Sequence, residues 1–458
     1  MSETQLSRKD SQPVRVALAS LIGTAIEQYD FLIYTTSAAL VFGPLFFDPR
    51  LSPLAAQLSA FATLWVGFAA RPVGGVVFGH FGDRLGRKTM LVLTLLIMGV
   101  ATFLIGCLPT YKDIGITAPL LLVILRFAQG FALGGEWGGA VLLATEHSPA
   151  NRRGYFGSWP QAGAGIGFLL SALLLSIISA SFSKAAFLSI GWRIPFLLSI
   201  VLVAVGLIIR LSIAETPDFK RVKETHTIAK APVIDVLRKD LKNVLLEAGA
   251  FFVANAAFYI YVSFVVSPYG TLVLKLERST MLNAVLVGAV AMLLTIPAAG
   301  MLSDRIGRLP VYLAGTALVG LMAFPIFWLI DTKSPLLIAL ALVLGLGGLN
   351  IMYGPQAAFF SELFRTNVRY SGISLGYQIG SIFSGGLAPF IATALLVWFH
   401  GAAWPIALYI VVMAIITFVC AYLLGETHPA AGNARHKARK IDKAALYTSN
   451  RPADLVED

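Results

Sequence analysis

The chain carries one polar signature twice, each time at the end of a long apolar run. The first copy is Gly79-His80-Phe81-Gly82-Asp83-Arg84-Leu85-Gly86-Arg87-Lys88, and the second is Gly300-Met301-Leu302-Ser303-Asp304-Arg305-Ile306-Gly307-Arg308. Each reads as a helix end, a tight glycine turn, one carboxylate and several guanidinium groups. Inside an otherwise apolar chain, such an echo restricts the fold to a membrane protein built from two similar halves. Parallel repeats of this size are an architecture of secondary transporters. Other pairs keep nearly the same offset. Glu146 with Arg153 matches Glu362 with Arg369, and Trp192 with Pro195 matches Trp404-Pro405. Ala214-Glu215-Thr216-Pro217 matches Gly425-Glu426-Thr427-His428.

Of the 458 residues 57% are apolar and only 13% are charged, against about 25% charged in soluble domains. Apolar runs of about 20 residues, the length of a membrane-crossing helix, recur throughout. Twelve are expected, at 16–46, 57–81, 89–109, 118–146, 153–180, 190–213, 242–272, 279–302, 310–330, 335–364, 368–398 and 402–424. The organisation that follows is an N-terminus at 1–15, a six-helix bundle at 16–213, a linker at 214–241, a second bundle at 242–424 and a tail at 425–458. The net charge of +11 does not point to nucleic acid. With both termini in the cytoplasm, most of the 35 Lys and Arg fall in cytoplasmic segments. Arg50, Lys112, Lys184, Arg193, Lys275, Arg278 and Lys333 fall outside, the asymmetry of the positive-inside rule. The linker, rich in Lys and Arg, reads as short interfacial helices. The tail, with Arg435, Lys437, Arg439, Lys440 and Lys443, reads as a solvated segment near anionic headgroups.

No metalloprotease, hydrolase-elbow or nucleotide-loop motif is present, and the six His show no metal-ligand spacing. Gly163, Gly165 and Gly167 lie inside an apolar run with no preceding strand, so they read as small residues that let two helices approach. Cys107 and Cys420 lie in apolar runs and read as buried, inert thiols.

Charges inside a bilayer need partners and usually a task. Those counted within the spans are Glu27, Asp30, Glu136, Arg71 and Arg126, all in the first half. Glu27 and Asp30 share one face of the first helix, with Tyr34 continuing the stripe. Two adjacent carboxylates in low dielectric favour holding a proton between them; the alternative is a fixed ion pair with Arg126 or Arg71. At about 100° per residue, Arg126, Gln129 and Glu136 can border one cavity, and Trp137 nearly eclipses Arg126. Glu136 reads as a second proton site, a substrate contact or an interhelical clamp. Arg71 reads as a fork for a substrate carboxylate or as a partner for Glu27 or Asp30. Three acids against two Arg leave one negative charge, which favours an anion as cargo once protons bind. For the second half only neutral polar groups are expected in the central spans: Asn255, Tyr259, Asn350, Tyr353, Gln356, Tyr377 and Gln378. These suit a hydroxylated or keto acid, or serve as interhelical hydrogen bonds.

Together these residues resemble the major facilitator superfamily, and within it the metabolite:proton symporters. The Gly-x-x-x-Asp-Arg-x-Gly-Arg signature carries the likeness. So do Glu27-Gln28-Tyr29-Asp30, Arg71-Pro72-Val73-Gly74-Gly75, Arg126-Phe127-Ala128-Gln129-Gly130 and Gly134-Gly135-Glu136-Trp137-Gly138-Gly139. Gly191-Trp192-Arg193-Ile194-Pro195-Phe196, Tyr353-Gly354-Pro355-Gln356 and Tyr370-Ser371-Gly372-Ile373-Ser374 extend it, over about 16–425. The nearest resemblance is to the shikimate-transporter branch; Gln28 departs from the Trp usual there. The resemblance implies an all-α major facilitator fold and a proton-coupled pair of Asp30 facing Arg126. It also implies contacts of Asp83 near Arg369 and of Asp304 near Arg153 that hold the cytoplasmic side closed, with Glu146 and Glu362 in the same clusters. Arg84, Arg87, Arg305 and Arg308 join these gates or act as topology anchors.

The expectation is therefore a symporter of the inner (cytoplasmic) membrane, importing a small organic acid such as shikimate by alternating access. It is expected to be a monomer in lipid, with the proton as coupling ion and no other cofactor, metal or nucleic-acid partner, and not an enzyme. The rivals are a proline/betaine symporter and an uncoupled uniporter of the same fold.

Overall fold

A computed structural model describes residues 13–428. Twelve helices are long and apolar enough to cross a membrane, and every regular element among the described residues is helical. The chain is a multi-pass membrane protein. The basic tail at 429–458 and the first twelve residues lie outside the described residues.

The first six spans are α1 Pro13–Ser37, α2 Pro53–Leu85, α3 Arg87–Cys107, α4 Thr117–Glu146, α5 Arg153–Ser181 and α6 Arg193–Leu211. The second six are α7 Leu241–Tyr259, α8 Arg278–Ile306, α9 Arg308–Asp331, α10 Pro335–Ser361, α11 Arg369–Ser381 and α12 Trp404–Leu424. Four spans are less regular than their apolar runs suggest, and in one of them π-helical winding over Phe187–Gly191 precedes α6. π-helical winding extends α1 over Ala38–Phe42 and α7 over Ile260–Val273. It also interrupts α11 at Ile382–Gly386, before the helix resumes at Ala388–Trp398. An apolar run reports length, and it does not distinguish i→i+4 from i→i+5 bonding. Between the halves lie two eight-residue helices, Pro217–Glu224 and Pro232–Lys239. Each starts on a proline, whose fixed φ suits the first helical position.

The packing repeats as the sequence does. In the first half α1 packs on α5, α2 and α3 on α4, and α3 on α6; in the second α7 packs on α11, α8 and α9 on α10, and α9 on α12. The halves meet along two seams, α5 with α8 and α2 with α11, which the same symmetry relates. The glycine run of α5 makes two of these contacts close. Gly163 and Gly167 face backbone oxygens of α1, and a methyl at Gly165 would lie 3.3 Å from the Ala289 carbonyl of α8. The outer surface is apolar. Leu294, Leu321 and Phe390 are 74%, 71% and 72% exposed, which suits lipid and not water. Cys107 is exposed at the end of α3 and not buried as expected, and both cysteines are unbridged.

Twelve crossings put the start of α1 and the end of α12 on one face. Both repeated signatures lie there, at the ends of α2 and α8, and that side is called the motif face below.

Candidate functional site

A cavity of about 60 Å³ lies between the halves. Glu27 and Gln28 of α1, Arg71 of α2 and Trp137 of α4 line it from the first half. Asn255 and Tyr259 of α7, Tyr353 of α10, and Tyr377 and Gln378 of α11 line it from the second. The helical spacings read from sequence thus deliver their side chains to one space. Thr24, Gln161, Phe258, Met292 and Ser381 also line it; nothing in their sequence context sets them apart from other span residues.

Arg71 makes none of the described ion pairs. Its guanidinium lies 4.2 Å from the Phe68 ring centre and 5.2 Å from that of Phe31, a cation on aromatic faces. Tyr259, from the other half, meets those rings edge-on at 5.7 and 6.2 Å. Trp137 stacks on Tyr377 at 3.8 Å. Its Nε1 donates to Gln161 (2.8 Å), whose Nε2 donates to Gln356 Oε1 (2.8 Å). Gln378 Nε2 donates to the Gly134 carbonyl at 3.0 Å. These bonds tie α4, α5, α10 and α11 across the midline, so Gln356 is held in this relay and does not line the cavity.

Asp30 and Arg126 do not pair directly, contrary to the expectation. Both are 1% exposed, and a relay joins them. Arg126 Nη1 donates to Gln129 Oε1 (3.2 Å), Gln129 Nε2 to Thr102 Oγ1 (2.7 Å), and Thr102 Oγ1 to Asp30 Oδ2 (3.1 Å). Asp30 Oδ1 has no partner. The Arg126 guanidinium rests on the Tyr34 ring at 4.1 Å, and the Tyr34 hydroxyl donates to Thr63 at 2.7 Å. Arg126, Gln129 and Tyr34 therefore stand behind the cavity wall. Thr102 was missed because a lone threonine in an apolar run carries no signal.

Glu136 is committed elsewhere. Arg210, near the end of α6, forms an ion pair with it, buried on both sides. Thr94 Oγ1 also donates to Glu136, at 2.6 Å. Of the three readings for Glu136, this geometry is the interhelical clamp. Arg210 lies so close to the end of its apolar run that it passed for a membrane-edge cation. Counting it corrects the charge balance: three acids face three guanidinium groups in the first half.

The second half is not wholly neutral either. Glu247 of α7 is 0% exposed, which overturns the expectation of neutral groups alone. Asn350 donates to Thr295 of α8 at 2.8 Å and does not line the cavity; it is interhelical glue.

The motif face is built twice. Asp83 accepts from the backbone N–H of Tyr370 (3.2 Å) and Ser371 (2.9 Å), the first turn of α11. Asp304 accepts from Gly154 and Tyr155, both at 2.8 Å, the first turn of α5. Each carboxylate meets the positive end of a helix from the opposite half. Arg87 pairs with Asp83 (3.3 Å) and Glu146 (3.6 Å); Arg308 pairs with Asp304 (2.6 Å) and Glu362 (3.5 Å). Both arginines are fully buried. The last glycine of each signature, Gly86 and Gly307, has φ of +116° and +105°, a conformation closed to other residues. Arg369 pairs with Glu146 at 3.0 Å, and Arg153 stands beside Glu362. Arg84 and Arg305 are exposed, as topology anchors would be.

The family model of the Major Facilitator Superfamily matches residues 20–384 and 279–453. The chain belongs to that superfamily. This facilitator is 43% identical to a shikimate transporter of Escherichia coli (strain K12), over 92% of this chain and 96% of the relative. A proline/betaine transporter of the same organism is 33% identical, over 91% and 85%. Among solved structures, a proton:xylose symporter bound to 6-bromo-6-deoxy-D-glucose superposes with a TM-score of 0.72. It is 15% identical, over 91% of this chain and 97% of that one, and shares the fold. The facilitator is thus a transporter of the metabolite type and not an enzyme.

Proposed function

We propose that this facilitator is a proton-coupled symporter that imports a small organic acid, shikimate or a chemically similar carboxylate, by alternating access. The observation that carries the reading is the charge arrangement around the cavity. Glu136 and Arg210 neutralise each other. Glu27 and Asp30 then balance Arg71 and Arg126 without pairing to them within ion-pair distance. One proton on either acid leaves one positive charge in excess, which a single substrate carboxylate offsets. Arg71, on the cavity wall, is the substrate contact. Arg126 does not deprotonate in practice, and senses Asp30 through Gln129 and Thr102. The hydroxyl and amide groups of Asn255, Tyr259, Tyr353, Tyr377 and Gln378 suit a hydroxylated acid. Trp137 forms the aromatic floor.

Both motif carboxylates are docked, so this state is closed on the motif face. The Lys and Arg excess supports a cytoplasmic assignment for that face, with both termini there and the protein in the inner membrane. Asp83, Asp304 and their arginine and glutamate partners then act as the cytoplasmic gates.

The test is Asp30→Asn in proteoliposomes. Uptake driven by a proton gradient is abolished while substrate counterflow persists. Accumulation of substrate against its gradient by the variant refutes Asp30 as the carrier. Cargo is read separately from thermal shifts of purified protein with shikimate, other organic acids, proline and betaine, since a bound ligand stabilises by mass action. The 33%-identical relative makes proline and betaine the informative counter-set; a shift with these alone replaces the organic-acid reading.

A further inference from the structure

Glu247 lies in α7 and is used by none of the steps above. It is completely buried, and neither carboxyl oxygen has a hydrogen-bond partner. Its socket is made by an absence on the facing helix. A methyl group at Gly376 of α11 would lie 2.6 Å from the Glu247 carboxyl carbon, so the carboxyl group occupies the space that a side chain there would take. The socket sits between two functional layers. Tyr377, the next residue of α11, lines the cavity and packs on Phe251 of α7 at 4.1 Å. The first turn of α11 supplies the N–H groups that hold Asp83.

Among the described residues the surroundings offer no charge partner. On α9 the neighbouring titratable group is Tyr312, whose hydroxyl donates to the Ala250 carbonyl of α7 at 2.8 Å. Tyr377 of α11 and Tyr353 of α10 line the cavity, and Cys420 of α12 stands against Gly249. Arg238 and Lys239 of the linker are exposed, and none of the described ion pairs includes Glu247. An ionised carboxylate without a donor or cation is strongly disfavoured at such a site, whereas a carboxylic acid is tolerated.

We propose that Glu247 is a second protonatable site of this transporter, neutral while α11 is docked on Asp83. It releases its proton toward the motif face when α11 leaves Asp83, the α2–α11 seam opens and water reaches the carboxyl group. The proton goes to water, and the carboxylate takes it back as the seam closes. The proposal rests on the alternating-access reading for its direction and for its coupling to the gate.

Infrared difference spectra of the purified, lipid-reconstituted protein test it, without substrate or proton gradient. Wild type minus Glu247→Gln at neutral pH is expected to isolate a carboxylic-acid C=O band. The same difference in an Asp83→Asn background is expected to be at least twofold weaker. Absence of the band overturns the site. A band of equal strength in both backgrounds, with cysteine labelling showing that the gate has shifted, overturns the coupling to the gate. Should Glu247→Gln not fold, Glu247→Asp serves instead, with a displaced band expected in place of a lost one. Transport by Asp30→Asn is a separate readout, so either proposal can fail without the other.

Discussion

The two gates of the motif face are copies of one design, and they hold differently. In each, a carboxylate caps a helix of the opposite half, a buried arginine joins that carboxylate to a glutamate, and a second glutamate caps the helix that follows. Glu215 accepts from the N–H of Arg87 at 3.1 Å, and Glu426 from that of Arg308 at 3.0 Å. They differ in what lies beyond. Arg369 of the first gate bonds Asp218 of the linker at 2.9 Å as well as Glu146. None of the described ion pairs involves Arg153, its counterpart at the second gate, and there Thr427 donates to Glu362 at 2.9 Å. Duplication supplied two gates, and the linker between the halves was added to one of them. The first gate therefore depends on the linker's position and the second does not.

The largest effects fall on the shared machinery. Arg87→Ala leaves Asp83 buried without a cation and Glu146 with Arg369 alone, and Arg308→Ala removes the ion-pair partner of Asp304 and Glu362. Each is expected to cost about 3–5 kcal/mol, read as a lowered thermal midpoint in detergent. A much smaller loss for Arg87→Ala alone shows that Arg369 and Asp218 carry the first gate, and breaks the equivalence. Gly86→Ala and Gly307→Ala force a side chain into a glycine-only conformation, at about 1–3 kcal/mol each. The same melting measurement checks them, and equal losses sharpen the view that the turns are interchangeable.

Asp83→Asn and Asp304→Asn each remove a charge worth about 0.3–2 kcal/mol at a helix N-terminus. Labelling of single cysteines at the two mouths, in a background without Cys107 and Cys420, is expected to rise several-fold on the motif face and fall on the other. Ligand affinity within each state stays constant, because a population shift leaves site chemistry alone. An unchanged labelling ratio removes the gate role. The smallest effect is Asp218→Asn, about 0.2–1 kcal/mol for a partly exposed pair. It is expected to loosen labelling near α11 while leaving positions near α5 unchanged. Equal loosening at both ends would erase the distinction between the gates.

The gates were legible in the sequence because their chemistry is compressed into a short repeated string, with glycines fixing the turn and charges fixing the partner. The twelve spans were legible because bilayer thickness imposes length. The cavity wall was half legible: Arg71, Trp137, Asn255 and Tyr259 are polar or aromatic groups conspicuous against apolar runs. Two of the misreadings share one cause. Arg210 and Glu247 lie where an apolar run nears its end, and sequence alone does not tell a membrane-edge charge from a buried one. The relay of Gln129 and Thr102 between Arg126 and Asp30 depends on how far apart α1, α3 and α4 stand, a distance that no local pattern encodes.

The π-helical stretch Ile260–Val273 gives α7 two mechanical characters. Its first part, Leu241–Tyr259, is an ordinary rod carrying Glu247, Asn255 and Tyr259. The part beyond it is wound more widely, with poorer stacking of its amide bonds. Under hydrogen–deuterium exchange α7 should therefore behave as a stiff segment joined to a soft one, with protection falling past Tyr259. The far mouth can then reshape by bending at one joint while the cavity-lining residues keep their mutual positions.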